Sequence, residues 1–563
     1  MGLAEQHCLR HASPVNSPAL YCRTRQSTLS HASRRRPAAI GLTKCVGKMR
    51  EVESSHPSFR RIPLPPSAGS AQEEPTSRMR AHGSTNALAQ WLLPLLAIVA
   101  VALVARWLSW PGLATEDTVW STREAMFGRY TTYHPLLNGL LLRALAIPFE
   151  SYAVYSTLQV ALCAVLFFRS LRLVAPGPLP RWSTWVSIGL WAFALHTFLY
   201  LGLLWKDIPI AYCLCFIAAL AFALRTSPAV RVGRVDAALL GVSVFLCVGL
   251  RHGMAINLVL VPLLLGWRRF RTDSRLWLPF ALALAGFLGL VALSQSSLVR
   301  NDEAHFLKLK ISSLSQPFLG IVSNKNGYTS DDYGYDKALA MRVFGAAYAS
   351  DYAPDYFSNS IVPDSEGELR WAYKAIVLRT TRLCLLNLGP CLSGRFQMML
   401  GTLQPSTRRG AITFYELGSH DDCSATGIGV LSCDLVARFS KSERPESAAR
   451  ALSWLVPRYV DSKGAVTNLV TWNLIPALLL IVAILLWLSP KHPLWLVAGY
   501  FAVQAALPFA TTMANDFRYY YFLFPFFVVF LPAFLRQVVS KRRSADPAKR
   551  AIEPTRDVGT TSG

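Results

Sequence analysis

Charge is what this sequence has least of. Only 16% of its 563 residues are Asp, Glu, Lys or Arg, against roughly 25% in soluble globular domains. Acids are the scarcer sign, 33 against 57 Lys and Arg, which leaves a net charge of +24. Such a shortage argues against an ordinary soluble enzyme. There is no glycine-lysine phosphate loop, no dinucleotide fingerprint and no HExxH helix, so no motif points to a soluble nucleotide or to zinc-protease chemistry. The eleven cysteines lack metal-ligand spacing, and no internal repeat is evident. Cys163, Cys213, Cys215 and Cys247 lie in apolar runs, where Cys packs as a small hydrophobe. Cys384/Cys391 and Cys423/Cys433 lie in a long polar segment and can form two local disulfides if it meets an oxidising compartment.

Apolar sequence is what the chain has in plenty. The runs "LAQWLLPLLAIVAVALVARWL", "WSTWVSIGLWAFALHTFLYLGLLW", "WLPFALALAGFLGLVAL" and "NLIPALLLIVAILLWL" each approach or exceed the roughly 18 residues of a spanning helix. The expected fold is an all-α polytopic membrane protein in a lipid bilayer. About ten spans are expected, at 87–108, 151–168, 182–203, 207–225, 237–250, 253–266, 276–297, 466–488, 494–511 and 519–537. Only "RHG" separates the fifth from the sixth, and one continuous tilted helix there would reverse every later assignment. With both termini cytoplasmic, the inner connectors "RSLRLVAPGPLPR", "RTSPAVRVGRVD", "WRRFRTDSR" and the tail "RQVVSKRRSADPAKR" are basic, as the positive-inside rule requires. That rule also accounts for the net charge. Because the basic residues occupy connectors and tails, not one amphipathic face, no nucleic acid is expected as a partner.

The expected domain order follows. Residues 1–85 are a basic tail rich in Arg, Ser and Pro, a composition that favours disorder. Residues 86–297 hold seven spans and a first outer loop at 109–150. The segment 298–465 is too long for a connector and contains apolar stretches such as "WAYKAIVLRTTRLCLLNL", so a mainly helical extracytoplasmic domain is expected there. Three spans at 466–538 and a disordered cytoplasmic tail at 539–563 complete the chain.

Ionisable residues beside these spans are the candidates for function. "TEDTVWSTREAMFGRYTTYHPLLNG" carries Glu116, Asp117, Arg123, Glu124, Arg129 and His134 in the first outer loop. A carboxylate pair there can act as a base, bind a divalent cation or merely solvate a helix end. Pro135 can open a further helix, with His134 just before it. Lys206 and Asp207 in "LLWKDIPIAY" sit at the outer mouth of two spans; a simple interface anchor, with Lys206 snorkelling, is the plain alternative. Arg251 and His252 interrupt an apolar stretch, where an Arg needs a counter-ion or a water-filled cavity. Arg suits phosphate through its two-pronged geometry, and a structural pair with Asp117, Asp207 or Asp516 is the competing explanation. "NDFRYYYFLFPFF" adds Asp516, Arg518 and Tyr519 before the last span, with its tyrosines forming an interfacial belt.

Taken in order, "TEDTVW", "YHPLLNGLL", "WKDIP", "RHGMAIN" and "FRYYYFLFP" resemble the GT-C class of integral-membrane glycosyltransferases, nearest to bacterial members related to the protein mannosyltransferase and aminoarabinose transferase groups. The resemblance covers most of residues 87–537. It implies an enzyme of the bacterial inner membrane that takes a sugar from a polyprenyl-phosphate donor and gives it to a glycan, lipid or protein acceptor on the outer face. In this chain it implies Asp117, with Glu116 beside it, as the group acting on the acceptor, and Lys206, Arg251 and Arg518 as the holders of the lipid phosphate. His134 would orient a carboxylate or the acceptor, supported by Asp207, His252, Asp516 and Tyr519. Glu116 and Asp117 are also the pair that could hold Mg or Mn. They are adjacent where the family's commonest spacing is acidic-x-acidic, which leaves the metal open. A lipid-linked saccharide flippase and a non-catalytic partner in polysaccharide assembly are the readings from other classes.

Met79 begins "MRAHGSTNALAQWLLPLLAIVA", which reads as a short cytoplasmic start before a first span. Residues 1–78 are therefore expected to be dispensable or to precede the natural start. Deleting them should leave membrane insertion and activity unchanged, as read by fractionation and by the transfer assay described below. Loss of activity with normal insertion would count against it.

Overall fold

Helix dominates because a chain in lipid must satisfy its backbone polar groups within each segment. The long Leu-, Ala- and Phe-rich runs also offer no strand alternation. The structure, a computed structural model, describes residues 90–131, 134–175, 182–227, 230–297, 299–300, 303–323, 332–346, 361–403, 439, 444–460, 473–511 and 517–545. The first half contains α1 (Leu92–Leu108), α2 (Glu116–Phe127), α3 (Leu136–Leu145), α4 (Ala153–Val174), α5 (Trp182–Phe193), α6 (Leu195–Tyr200), α7 (Asp207–Thr226), α8 (Arg234–Leu250), α9 (Asn257–Leu265), α10 (Trp267–Thr272) and α11 (Ser274–Ser294). The polar half adds α12 (Glu303–Ser323), α13 (Tyr333–Phe344), α14 (Glu366–Leu386), α15 (Leu388–Leu403) and α16 (Glu446–Val460). The last group is α17 (Ile475–Trp487), α18 (Pro493–Thr511) and α19 (Leu523–Ala545). The described strands are two residues each, β1 (Tyr130–Thr131) and β2 (Val299–Arg300), paired in parallel with Tyr130 opposite Val299.

The centre of the apolar bundle is α7, which is hydrophobic on every side and buried along nearly its whole length. It packs against α4, α8, α9, α18 and α19. Phe167 stacks on Trp191 with ring centroids 4.6 Å apart, and the Trp191 indole donates to the Tyr212 hydroxyl at 2.8 Å. Asp207 in the first turn of α7 and Arg225 in its last turn match the sign of the helix dipole at each end. A separate core fills the polar segment, where Ile311, Phe318, Val343 and Ile376 come together from α12, α13 and α14.

Among the described residues, five helices are long and apolar enough to cross a membrane: Ala153–Val174, Asp207–Thr226, Ser274–Ser294, Pro493–Ala510 and Arg518–Lys541. A sixth is added if the bent pair Glu366–Leu386 and Leu388–Leu400, at 107°, counts as one span. That is fewer than the ten expected, and helix breaks account for much of the difference. The expected span at 182–203 is split at Ala194 into α5 and α6. The expected fifth span ends at Leu250, and a 3-10 turn (His252–Ile256) intervenes before α9. The four shorter apolar helices, Leu92–Leu108, Leu136–Phe149, His252–Leu265 and Ile475–Trp487, fall at expected spans or, for the second, inside the first outer loop. The last helix continues to Ala545, beyond the boundary expected at 538, since "RQVVSKRRSA" holds good helix formers and its basic residues favour a C-terminal turn. Cys384 and Cys391 are joined by a disulfide across the α14–α15 bend; Cys423 and Cys433 lie outside the described residues.

One ion pair holds the polar segment together. Asp336 is fully buried and Arg379 is 8% exposed. The guanidinium donates to both Asp336 oxygens at 2.6 Å and to Asp332 Oδ2 at 2.9 Å. Breaking a buried pair on one side strands the other charge, at a cost of about 3 kcal/mol. Asp336→Ala should therefore lower the thermal unfolding midpoint of the detergent-purified chain, and the double change Asp336→Leu/Arg379→Met should recover most of it. Equal midpoints for Asp336→Ala and the native chain would mean that the pair contributes nothing.

Candidate functional site

The start of α2 is pinned to the segment before α7. Leu113 N–H donates to Gly202 O at 3.1 Å and Leu204 N–H to Leu113 O at 2.9 Å. A side chain at Gly202 would collide with Ser109, since its Cβ would fall 1.8 Å from Ser109 Oγ; glycine is what lets the two segments touch. Thr115 caps α2 in a reciprocal arrangement with Thr118, the pattern that satisfies the first free N–H groups of a helix. Thr118 Oγ1 also donates to Leu204 O at 3.0 Å, and the Trp205 indole donates to Thr115 Oγ1 at 2.5 Å. These bonds set Asp117, in the first turn of α2, opposite Lys206.

Asp117 Oδ2 lies 3.5 Å from Lys206 Nζ and is hydrogen-bonded and ion-paired to Arg518 Nη1. Burial by itself would raise the Asp117 carboxyl's proton affinity. The charges of Arg518, Lys206 and His134 outweigh it and hold the group well below the ordinary carboxylate range. His134 is buried just before Pro135, within electrostatic reach of that carboxylate. Asp207, also buried, accepts from Arg251 Nη1 at 2.9 Å; of the two candidate partners for Arg251 among the described residues, Asp117 and Asp207, it is Asp207 that pairs with it. The Arg251 and Arg518 guanidinium carbons lie 5.1 Å and 5.2 Å from the centre of the Tyr519 ring. Arg518 also lies 5.1 Å from the Trp205 ring. Aromatic faces at these distances stabilise a cation without neutralising it.

Asp117, His134, Lys206, Asp207, Arg251, Arg518 and Tyr519 thus gather in one neighbourhood, and His252 is exposed beside Arg251. The Glu116 side chain and Asp516 lie outside the described residues. Among the described residues no group of three or more His, Cys, Asp and Glu could hold a metal ion. Asp117 Oδ2 is shared between two cationic side chains.

Glu124 was named in the first outer loop but given no role by sequence, although a signal was there. It follows Asp117 by seven residues, two turns along α2, which puts both on one helix face about 10 Å apart along the axis. The Thr131 hydroxyl donates to Glu124 Oε1, and Gly128 ends the helix in the left-handed conformation with φ of 61°. Burial pushes the Glu124 carboxyl up from 4.5 to about 7, against the opposing pull of Thr131 and Lys206. One face therefore carries two carboxylates of opposite character, one locked as an anion and one able to exchange a proton near neutrality.

No family model matches the chain, and no curated protein or solved structure matches it significantly.

The raised Glu124 value has a consequence for stability. Below pH 4.5 the carboxyl is protonated in folded and unfolded chains alike. Between 4.5 and about 7 the unfolded chain loses the proton while the folded chain keeps it, so stability falls as pH rises, then levels off. At 1.4 kcal/mol per unit, reduced for the group's partial exposure, the fall is about 2 kcal/mol. Unfolding measured across this window should slope less in Glu124→Gln than in the native chain. Identical slopes would place the Glu124 proton affinity at its ordinary value.

Proposed function

We propose that this protein is an integral-membrane glycosyltransferase that moves a sugar from a polyprenyl-phosphate donor to a glycan, lipid or protein acceptor on the extracytoplasmic face. In this reading both termini are cytoplasmic in a bacterial inner membrane, and three of the shorter apolar helices, the α5–α6 pair and α8 complete ten crossings. The observation that carries it is the meeting of Lys206, Arg251 and Arg518 with Asp117 and Asp207 at one place, with a protonatable Glu124 on the Asp117 helix face. Several long apolar helices supply the lipid setting that a prenyl donor requires.

The chemistry follows from that pairing. The acceptor oxygen attacks the anomeric carbon, the bond from that carbon to the phosphate oxygen breaks, and its electron pair leaves on the phosphate. Lys206, Arg251 and Arg518 hold the phosphate, and fixed cations stabilise it most as its charge develops. Glu124 takes the acceptor's proton; a base with an affinity near neutrality is best matched to this task. Asp117 is a weaker base because Arg518 and Lys206 hold its charge. Its role is to keep those cations desolvated and oriented until phosphate arrives, with His134 at its side. Asp207 positions Arg251, and the Tyr519 ring lies 5.1 Å from one guanidinium carbon and 5.2 Å from the other.

One observation favours the flippase reading: α8 stops at Arg251 and the chain resumes through a 3-10 turn, an interruption of the kind found where transporters bind their cargo. Liposomes carrying purified protein and a labelled polyprenyl-phosphate sugar distinguish the two. Label transferred to a water-soluble or lipid acceptor supports the enzyme, and label crossing the bilayer still on its carrier supports the flippase. Arg518→Ala should reduce transfer by about a hundredfold or more, and Glu124→Gln by about a hundredfold. The rate should rise with pH to half its maximum near 7, and Glu124→Gln should lose that limb. Full transfer by both variants in correctly folded protein would refute the assignment.

A further inference from the structure

A cavity of about 660 Å³ opens between α8 and α11, away from the ion-pair site. Two arginines, Arg234 and Arg275, stand at one end beside Ser274; the remaining lining is Ala, Gly, Val, Phe, Leu and Pro. Small residues make the space: Ala237, Ala238 and Gly241 on α8 and Ala283 and Gly286 on α11 line it. The two helices nearly touch at its floor, where a Cβ on Gly241 would lie 3.0 Å from Pro279 Cβ and one on Gly286 would lie 2.9 Å from the Phe245 ring.

The length of the groove is informative. From Arg234 to Phe245 along α8 is about 16 Å, and from Ser274 to Gly286 along α11 about 18 Å, at 1.5 Å per residue. One leaflet of hydrocarbon is about 15 Å deep. The groove therefore starts at a basic rim and ends one leaflet down. Arg231, Arg268 and Arg271, in the segments that lead into α8 and α11, are exposed as well. Arg275 donates to Val232 O at 2.8 Å through Nη1, which braces it at the rim and leaves its other donors for a ligand. Of the acids closest in sequence, Asp236 is held by Arg169 at 3.0 Å, and Asp273, at the rim, spends Oδ1 on the Arg275 backbone N–H at 3.0 Å, where two arginines outnumber it.

We infer that this groove is a binding site for an anionic phospholipid, with the headgroup phosphate on Arg234 and Arg275 and one acyl chain along α8 and α11 toward Phe245. Basic pockets between membrane helices select acidic headgroups by charge, while the acyl chain fills apolar surface that no side chain covers. The inference does not depend on the glycosyltransferase reading, since it uses neither the substrate nor the ion-pair site.

Native mass spectrometry of the full-length protein, released from detergent after incubation with phosphatidylglycerol or with phosphatidylcholine, tests it. The native chain should retain phosphatidylglycerol over phosphatidylcholine. In Arg234→Gln/Arg275→Gln the preference should fall by about twentyfold, each arginine near an anionic lipid contributing about fivefold. Ala238→Trp, which fills the groove and leaves both arginines, should lose retention of both lipids. Equal retention of the two lipids by the native chain would overturn the proposal. So would an unchanged preference in the arginine variant, or undiminished phosphatidylglycerol binding by Ala238→Trp.

Discussion

A buried carboxylate must find a cation, and in this chain Asp117 finds two that lie far away in sequence. Arg518 is 401 positions further on, and Lys206 comes from the start of the central helix. At an effective dielectric near 20, unit charges 4 Å apart attract by about 4 kcal/mol, enough to offset much of the desolvation that a partly buried site imposes. The pairing joins the first polar loop, the mouth of α7 and the turn that leads into α19. Without it three cationic side chains, already stripped of much of their water, would stand together in mutual repulsion. The arrangement is also suited to exchange. Under the proposed function an incoming phosphate would replace one anion with another, so the cations need not be desolvated again.

The two carboxylates of α2 illustrate how burial alone does not fix proton affinity. Asp117 and Glu124 both lose solvent, which raises the affinity of each. Asp117 has a guanidinium, an ammonium and an imidazole around it, and the balance falls below the ordinary range. Glu124 has one hydroxyl and a more distant lysine, and the balance ends near neutrality. Environments that push two acids apart in this way assign them different tasks. The sequence-based expectation put Asp117 on the acceptor; the proposed chemistry puts the acceptor's proton on Glu124 because of its raised affinity.

Much of the fold was legible from composition, because a long apolar run has few outcomes in lipid. The helices 153–174, 207–226 and 274–294 stand close to where their hydropathy places them. Breaks were harder to read. Nothing in "LWAFALHTFLY" announces that the helix stops at Ala194, since neither proline nor glycine stands there and the interruption depends on packing against α19. The candidate site was legible as a set of ionisable residues out of place beside spans, but partners were not. Arg251 could have paired with any of three acids, and the choice of Asp207 follows from the crossing of α8 and α7. Glu124 was named without a role because a lone glutamate is unremarkable until Thr131 and the following turn enclose it.

The central helix orders the molecule's charges along its own axis. Twenty residues of α7 extend about 30 Å, the thickness of a bilayer's hydrocarbon, so its ends mark the two interfaces. At the first end, Asp207 answers Arg251, and the ion-pair site surrounds them. At the other, Arg225 donates to Leu263 O at 3.0 Å and Arg269 to Leu224 O at 2.9 Å, closing the carbonyls that a helix terminus leaves free. Those arginines belong to the same basic belt as Arg234 and Arg275. Acids stand at that end too, Asp236 on Arg169 and Asp273 at the cap of α11, but arginines outnumber them. The surface there therefore keeps a net positive charge, while the carboxylates at the other end are matched to their cations.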